Sequence, residues 1–468
     1  MTESWATFGA DLHLELSGSG LRAGLMDALR EAVRTGRLAP GTRLPSSRSL
    51  AADLGIARNT VADAYAELVA EGWLTARQGS GTRVAARSVP RRTAAARSGP
   101  RRAAVLRPAY SLMPGSPDLA AFPRTAWLAA ARRALTAAPN DAFGYGDPRG
   151  RIELREVLAG YLARARGVYA EPERIVTCSG FVHGLMLIAK VLRQRRVRDV
   201  AVESYGLDIH WNLLTDAGLR IPALPFDATG TRTGELGALR HAGAVLMTPA
   251  HQYPVGVPLP PDRRAAAVDW ARSTGGLILE DDYDGEFRYD RQPVGALQGL
   301  DPDRVVYLGT ASKSLAPGLR LAWMVLPAHL ADEVAEAKGE TDWVCGALDQ
   351  LTLAEFMASG AYDRHVRSMR LRYRRRRDQL VAALAERAPG LQVTGIAAGL
   401  HAVVELPPGT ERSVIQAAAW QGLALVGLSR FRHQASTVPA RDALVVGYAT
   451  PPDSAWTGTL DALCRALP

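Results

Sequence analysis

Residues 310–323 read TASKSLAPGLRLAW, directly after the apolar run VVYLG at residues 305–309. A short apolar run of this kind is typical of a buried strand. The loop that follows is built mainly of small residues, and it carries Lys313. A lysine held in a pocket can lose its proton and form a Schiff base with a carbonyl group. The pattern therefore predicts a reactive lysine in a roomy loop at the end of a strand.

The scarcity of lysine makes Lys313 stand out further, because the chain has 56 basic residues but only three lysines. Lys190 ends the apolar stretch VHGLMLIAK. Its aliphatic stem can lie along this apolar surface while its ammonium group reaches water, which accounts for a lysine there. Lys338 lies in EVAEAKGE, a pattern typical of an exposed helix. Lys313 is therefore the lysine that we expect to carry chemistry.

A second signal is the acidic run EDDYD at residues 280–284, which ends another apolar stretch. Acids in such a position are costly unless they are paired. Pyridoxal phosphate (PLP) needs an acid against its pyridine nitrogen, so that the ring can act as an electron sink, and it gains from a phenol near O3′. A metal site or a solvated turn would also explain the run, so the run alone leaves these alternatives open.

The part of the chain from residue 109 onward alternates short apolar runs with helical patterns. This alternation predicts an α/β fold with a mainly parallel sheet. Ligands in such sheets bind beyond the carboxyl ends of the strands. The predicted strands are residues 174–178, 200–202, 244–247, 276–280 and 305–309.

The first 85 residues have the pattern of three helices and a hairpin. Apolar stripes with helical spacing cover residues 25–33 and 61–69. Between them, Ser46 or Ser47 can cap a short helix that Gly55 ends. Two β-like runs around a Gly-Ser-Gly turn complete the pattern.

A helix-turn-helix places its second helix in the major groove of DNA. Here that helix would begin at Arg58 and would present the polar start Arg58-Asn59-Thr60 to the bases. Arginine pairs with guanine and asparagine with adenine. A small helical protein-interaction module has the same elements, so three helices alone do not exclude it.

The formal net charge of +9 is concentrated in one short segment. Residues 1–85 hold nine arginines and nine acids, residues 86–108 hold seven arginines and no acid, and the rest hold 40 basic and 38 acidic residues. The middle segment lacks apolar periodicity and contains prolines, which predicts a flexible linker between a head, residues 1–85, and a body, residues 109–468. Its arginines either bind DNA phosphates or are the solvated charges of a linker.

Residues 40–84, PGTRLPSSRSLAADLGIARNTVADAYAELVAEGWLTARQGSGTRV, closely resemble the GntR-type winged helix-turn-helix. The resemblance implies a head that binds double-stranded operator DNA. Because the head has no net charge, its affinity must come from placed arginines and from dimerisation. The expected DNA contacts are Arg43, Ser46, Arg48, Arg58, Asn59, Thr60, Gln78 and Gly79.

The body resembles the fold-type I aminotransferases, and its combination with the head resembles the MocR/GabR family of regulators. Five segments carry this resemblance, in family order and spacing: YGDPRG (145–150), CSGFVHG (178–184), TPAHQYPVG (248–256), LILEDDYDGEFRY (277–289) and TASKSLAPGLRLAW (310–323). The resemblance implies an α/β body that binds PLP, and it implies no metal site.

The resemblance also implies the role of individual residues. Lys313 would form the Schiff base with PLP, while Asp281 would face the pyridine nitrogen and Tyr283 would face O3′. A helix N-terminus is a natural phosphate site, and the expected phosphate residues are Ser179, Gly180, Phe181, Ser312 and Arg320. The remaining expectations are Tyr205 stacked on the ring, Tyr145 at the cofactor phosphate of the partner subunit, and His251, Gln252 and Arg430 on the effector side.

Departures from the family pattern affect the effector. The usual run E-D-P-G-Y is replaced by Glu203-Ser204-Tyr205, about two residues shorter. Relatives that bind amino-acid carboxylates usually carry an arginine in a segment like LRLGF, and here Val445 stands in its place. Valine cannot form a bidentate clamp on a carboxylate. Arg430 or Arg432 nearby could substitute for it.

These features predict a PLP-dependent transcription regulator that senses PLP itself, and so controls vitamin B6 supply, or senses an amine or amino acid. An active aminotransferase with an added DNA-binding domain is the alternative. We expect a head-to-tail homodimer on a two-part operator. Since no secretory signal or run of about 18 apolar residues occurs, we expect no membrane contact and a cytoplasmic, nucleoid-associated protein.

Overall fold

The computed structural model describes residues 20–77, 81–86, 108–289, 294–340 and 345–468. The predicted DNA contacts Gln78 and Gly79 lie outside the described residues, as does the predicted linker apart from Ala86 and Pro108. The chain divides into two compact units between Leu106 and Arg107.

The head unit contains three helices and an antiparallel hairpin: α1 (Leu21–Arg34), α2 (Ser47–Leu54), α3 (Arg58–Ala70), β1 (Leu74–Arg77) and β2 (Gly81–Val84). Ser46 caps α2, because its side chain accepts a hydrogen bond from the Ser49 backbone N–H at 3.1 Å. Gly55 ends α2 in the left-handed region, with a φ of 65°. The predicted cap, stop and element order of the head are therefore confirmed.

The apolar stripes of α1 and α3 form the core of the head. Leu29, Val61 and Leu68 are fully buried in one cluster with residues of α2 and the hairpin. The Tyr65 hydroxyl donates a hydrogen bond to the Pro45 carbonyl at 3.1 Å. This bond ties α3 to the start of α2, which sets the angle between the two helices of the helix-turn-helix.

The helices described in the body unit are α4 (Arg124–Ala137), α5 (Ile152–Arg166), α6 (Phe181–Gln194), α7 (Asp208–Asp216), α8 (Pro261–Thr274), α9 (Ala328–Gly339), α10 (Ala347–Ala358), α11 (Ala361–Arg387), α12 (Glu411–Trp420) and α13 (Trp456–Ala466). Its described strands are β3 (Tyr110–Ser111), β4 (Ile175–Cys178), β5 (Asp199–Glu203), β6 (Ala223–Leu224), β7 (Phe226–Asp227), β8 (Gly230–Thr231), β9 (Ala242–Met247), β10 (Leu277–Asp281), β11 (Val305–Thr310), β12 (Ala322–Val325), β13 (Val393–Thr394), β14 (Ala402–Glu405), β15 (Leu423–Ala424), β16 (Val426–Gly427) and β17 (Ala443–Val446).

The large sheet of the body has the strand order β4-β12-β11-β10-β9-β5-β6. Only β12 runs against its neighbours in this sheet, so the other six strands point the same way. The five predicted strands are β4, β5, β9, β10 and β11, which confirms the α/β fold with a mainly parallel sheet. The short strands β6 and β12 were not predicted.

The large sheet is buried on both faces. Neighbouring residues of β10, Ile278 and Leu279, enter two different apolar clusters, because side chains alternate along a strand. Leu185 of α6 lies in the cluster of Leu279, and Val268 of α8 lies in that of Ile278. Burial on both faces explains why these strands are nearly continuous apolar runs.

A second, antiparallel sheet of the body has the order β13-β14-β17-β16. Val445 lies in β17 and is fully buried. Within the described ranges, no helix combines the length and the apolar character that crossing a membrane would need.

Candidate cofactor site and DNA-contact surface

A cavity of about 440 Å³ lies at the carboxyl edge of the large sheet. The last or nearly last residues of four strands line it: Glu203 of β5, Met247 of β9, Asp281 of β10 and Thr310 of β11. This is where an open α/β sheet binds its ligand. Lys313 and Tyr283 also line the cavity, so the residues predicted from two distant segments meet there.

Lys313 is half-buried in the loop after β11, and its ammonium donates a hydrogen bond to the Gly115 carbonyl at 2.6 Å. Burial lowers the pKa of Lys313, while Asp281 and Asp284 act in the opposite direction. A lysine with a lowered pKa loses its proton more easily, which is the condition for Schiff-base chemistry.

Asp281 is buried, and its Oδ1 has no hydrogen-bond partner among the described residues. Burial raises the pKa of Asp281 well above its ordinary value, and the Lys313 cation opposes this rise. A buried acceptor without a partner is costly. A protonated pyridine nitrogen would satisfy it, so this carboxylate fits PLP.

The Tyr283 hydroxyl is held by His251. It lies 3.0 Å from Nδ1 of His251 and donates to the His251 carbonyl at 3.1 Å. Nδ1 of His251 also lies 2.9 Å from Oδ2 of Asp284. These three side chains form one hydrogen-bonded group that fixes the phenol of Tyr283, which lines the same cavity as Lys313.

The predicted phosphate residues meet where α6 begins. Phe181 is the first residue of α6 and follows Gly180, whose φ is 101°. The Arg320 guanidinium donates a hydrogen bond to the Ser179 carbonyl. A Cβ on Gly180 would lie 2.5 Å from this guanidinium, which would then have to shift, and the positive φ of Gly180 also favours glycine. A helix N-terminus next to a guanidinium fits a phosphate group.

Ser312 lies in the same loop as Lys313 and also lines the cavity. The Thr310 hydroxyl donates a hydrogen bond to the Ser312 Oγ at 2.8 Å, and the Ser312 backbone N–H donates to the Thr310 Oγ1 at 3.1 Å. These two bonds hold Ser312, in the loop, against Thr310, the last residue of β11.

Other predicted residues lie away from the centre of the cavity. Gln252 is buried behind it, where its Nε2 donates to Oε1 of Glu203 at 2.5 Å. Arg430 pairs with Asp208 at 2.6 Å, and both side chains are largely exposed. Tyr145 is 92% exposed and does not line the cavity in this single chain.

Several cavity residues were not predicted from the sequence. They include Gly115, His210, Tyr253 and His401. Tyr253 follows the predicted pair His251-Gln252 directly, so its position was a usable signal. The other three lie in segments without a chemical motif and reach the cavity only through tertiary packing.

Three buried side chains could in principle hold a metal ion. The donor atoms of His251, Asp284 and His401 lie within 4.8 Å of one another. The Asp284 carboxylate already bonds His251, and Nε2 of His401 lies 2.9 Å from the Pro254 carbonyl. Hydrogen bonding accounts for this group, and the absence of a metal site stays a prediction.

Of the predicted DNA contacts that the structure describes, Ser46, Arg48, Arg58, Asn59 and Thr60 lie around the starts of α2 and α3. Arg48 follows the first residue of α2 and is exposed, and Arg58 and Asn59 are exposed at the start of α3. Arg43 lies next to the hairpin, where it forms an isolated bridge with Arg83. The buried stripe of α3 thus leaves its polar start open to solvent.

Comparison with known proteins matches both units. The model of the bacterial regulatory proteins of the gntR family matches residues 21–84, and that of the class I and II aminotransferases matches residues 115–439. The pyridoxine biosynthesis transcriptional regulator PdxR of Corynebacterium glutamicum is 35% identical over 87% of this chain and 88% of its own length. The protein described as "Probable rhizopine catabolism regulatory protein MocR" of Rhizobium meliloti is 33% identical over 91% and 89%.

The chain belongs to the MocR-type transcription regulators. The regulator binds DNA through its head and PLP through its aminotransferase-like body. Among solved structures, the kynurenine aminotransferase of Pyrococcus horikoshii has a TM-score of 0.68 and 25% identity over 76% of this chain and 90% of its own. Its complex contains PMP, the amino form of the cofactor. The predicted family, fold and cofactor are confirmed.

Proposed function

We propose that this regulator senses PLP itself and controls the supply of vitamin B6. The observation that carries the proposal is the apolar surrounding of Val445, where amino-acid-binding relatives are expected to have an arginine. The similarity to a pyridoxine biosynthesis regulator supports it independently.

Val445 is fully buried in an apolar cluster with Tyr205, Val255, Val403 and Phe431. A free carboxylate placed against this cluster would lose its hydration without gaining a partner. Tyr205 of this cluster lines the cavity, whereas Val445 lies behind the lining residues. PLP has no carboxylate, so an apolar cluster at this position suits PLP better than it suits an amino acid.

The two arginines that could replace the missing cation have other partners. Arg430 pairs with Asp208 at 2.6 Å. Arg432 donates to the carbonyls of Ser436 and Val438 at 2.8 and 2.6 Å. Moving either guanidinium to a ligand would break these bonds, which supports an effector without a carboxylate.

Within this proposal, Lys313, Asp281, Tyr283 and the phosphate residues keep their predicted roles toward the cofactor. When PLP is bound, Lys313 would hold it covalently, Asp281 would keep the pyridine nitrogen protonated, and Tyr283 would face O3′. PLP supplies an electron-withdrawing ring when bound. The phosphate is held by Ser179, Gly180, Phe181, Ser312 and Arg320, with Tyr145 of a second copy completing the site. His251 and Gln252 orient Tyr283 and Glu203 from behind the cavity.

We also propose that the exposed residues at the starts of α2 and α3 bind the operator DNA. Arg48, Arg58 and Asn59 contact the operator, and two heads of a head-to-tail homodimer bind its two halves. The proposed contacts also include Arg43, Ser46, Thr60, Gln78 and Gly79. Residues 86–108 link head and body, and the regulator works in the cytoplasm.

The test measures the affinity of the cofactor-free regulator for DNA from upstream of its own gene and of vitamin B6 genes, with and without PLP. We expect PLP to change the dissociation constant at least fivefold, and Lys313→Ala to abolish the change. Equal affinities with and without PLP would reject PLP as the signal. A change that appears only when GABA, taurine or a D-amino acid is added would assign the signal to an amine.

A second candidate function is aminotransferase activity, because Lys313, Asp281, Tyr283 and Arg320 surround one cavity in an aminotransferase fold. Turnover requires the protein to bind an amino acid and then a keto acid, both of which carry a carboxylate, and the apolar cluster around Val445 disfavours this. Steady transamination with common amino donors and keto acids would support the second candidate instead.

A further inference from the structure

We propose that the imidazole of His210 covers the ring of PLP, the role that the family resemblance implies for Tyr205. This inference rests on the proposed cofactor site. It assigns a ring-binding residue that no motif of the chain indicates.

His210 lies in the first turn of α7 and lines the cavity together with Lys313 and Asp281. Its ring centroid is 4.5 Å from that of Phe181, with an angle of 37° between the ring planes. Phe181 opens α6 at the proposed phosphate site. The imidazole therefore lies beside the phosphate end of the cavity, next to where the pyridine ring must lie if Asp281 and Lys313 hold it.

The charge state of His210 suits a stacked ring. Burial lowers its pKa to about 4, and the Lys313 cation acts in the same direction. The imidazole is therefore neutral at physiological pH. A neutral aromatic ring can stack on an electron-poor pyridinium, whereas an imidazolium would repel it.

Tyr205 has a different environment, although it also lines the cavity. Its ring contacts Phe226 edge-on, with the centroids 5.7 Å apart, and only 2% of the residue is exposed. It belongs to the apolar cluster that contains Val445. The Tyr205 ring is thus packed edge-on against Phe226 within this apolar cluster, and we assign the cover of the PLP ring to His210 instead.

The sequence between residues 203 and 210 also supports ring stacking by His210 rather than by Tyr205. Counted from Glu203, the fifth position of the family run E-D-P-G-Y is Leu207, which has no ring. The His210 backbone N–H donates to the Leu207 carbonyl at 3.0 Å, one turn further along. Residues three apart lie on the same side of a helical turn. His210 can therefore supply the ring that position 207 lacks.

The experiment titrates PLP into the full-length, cofactor-free protein and follows the visible absorbance band and its induced circular dichroism. The matched pair His210→Leu and Tyr205→Leu removes one ring at a time while keeping apolar volume. His210→Phe restores a ring without a nitrogen. His241→Leu is the control, because His241 is exposed and lies outside the cavity.

We expect His210→Leu to weaken PLP binding about three- to tenfold and to reduce the induced dichroism. His210→Phe should restore both, Tyr205→Leu should cause the smaller loss, and His241→Leu should match the parent. If His210→Leu does not fold, as judged by thermal melting, His210→Asn provides the same comparison.

Parent-like binding by His210→Leu, a larger loss in Tyr205→Leu, or failure of His210→Phe to restore binding would each overturn the stacking role alone. A parent chain that shows no visible band with PLP would reject the proposed cofactor site and the stacking role with it.

Discussion

Asp281 and Lys313 stabilise each other's charged form across the cavity, against a burial that disfavours both charges. The carboxylate has one oxygen without a partner, and the ammonium bonds only the Gly115 carbonyl among the contacts described for it. A site that keeps two poorly satisfied charges is prepared for a ligand, because binding removes the cost of leaving them unpaired.

Replacing Lys313 tests the covalent attachment of PLP. Lys313→Ala should abolish the visible band of the PLP-loaded protein, because the amine that forms the Schiff base is gone. Its one hydrogen bond is worth about 1 kcal/mol, so Tm should change by no more than about 4 °C. Absorbance and thermal melting measure the two effects. Lys190→Ala is the control, and an unchanged spectrum of Lys313→Ala would contradict the assignment.

Asp281→Asn should weaken PLP binding about 10- to 100-fold, because a charged hydrogen bond to the pyridine nitrogen is lost. The same change should raise the Tm of the cofactor-free protein at pH 8. The folded-state pKa of Asp281 is raised, so its ionisation destabilises the fold above the unfolded-state pKa, and asparagine removes that cost. The gain should shrink as the pH falls toward 5.

Titration of PLP and melting at both pH values measure these two effects of Asp281→Asn. Asp332→Asn is the control, since the Asp332 side chain is 89% exposed. Parent-like PLP affinity in Asp281→Asn would contradict the pyridine role.

Glu286 should make stability depend on pH. It is buried, and burial raises its pKa to about 7, with Asp282 adding to the rise and Arg166 opposing it. The unfolded state therefore binds fewer protons than the folded state between about pH 4.5 and 7, so this group costs stability as the pH rises. At pH 8, Glu286→Gln should have a higher free energy of unfolding than the parent. This gain over the parent should be about 2 kcal/mol larger at pH 8 than at pH 5.

Denaturant unfolding of the cofactor-free protein at both pH values measures the effect of Glu286→Gln. Glu340→Gln, at a side chain that is 59% exposed, should leave the pH dependence unchanged. A constant difference between Glu286→Gln and the parent across this range would disprove the role of Glu286.

Arg58 should contribute directly to operator binding. Arg58→Ala should weaken binding about 5- to 100-fold, the range for the loss of a good base contact. If Arg58 instead binds a phosphate, Arg58→Ala should lose as much affinity for unrelated DNA as for the operator. The slope of the logarithm of the binding constant against the logarithm of the salt concentration should then fall in magnitude by about 1. Fluorescence anisotropy at several salt concentrations distinguishes the two. Arg22→Ala on α1 should bind like the parent, and full operator affinity in Arg58→Ala would refute the contact.

Tyr145 should act on the site of a second copy. We expect Tyr145→Ala and Lys313→Ala chains each to be defective in PLP binding, whereas a heterodimer of the two would contain one complete site. Unfolding and refolding them together in equal amounts should restore the visible band to about a quarter of the sites, because half of the dimers are mixed. No recovery, with dimers present by sedimentation, would show that Tyr145 does not serve the partner.

Local sequence patterns determined the elements of this protein. Helical periodicity and the pair Ser46 and Gly55 set the three helices of the head, because caps and stripes involve residues within a few positions of each other. The apolar runs predicted five strands of the sheet for the same reason. The apolar runs placed Lys313 and the acidic run at strand ends, the family resemblance singled out Asp281, and the parallel sheet brought those ends together.

Tertiary structure alone decided how the site is completed. The partner of Lys313 is Gly115, which lies 198 residues away in the chain. Val445 gains its apolar neighbours from several separate segments, among them those of Tyr205, Val255 and Val403. His210 reaches the cavity because α7 packs against α6. Periodicity and motifs report only what neighbouring residues share, whereas these contacts depend on where distant segments pack. The sequence therefore indicates a PLP lysine, and the packing determines which residues surround it.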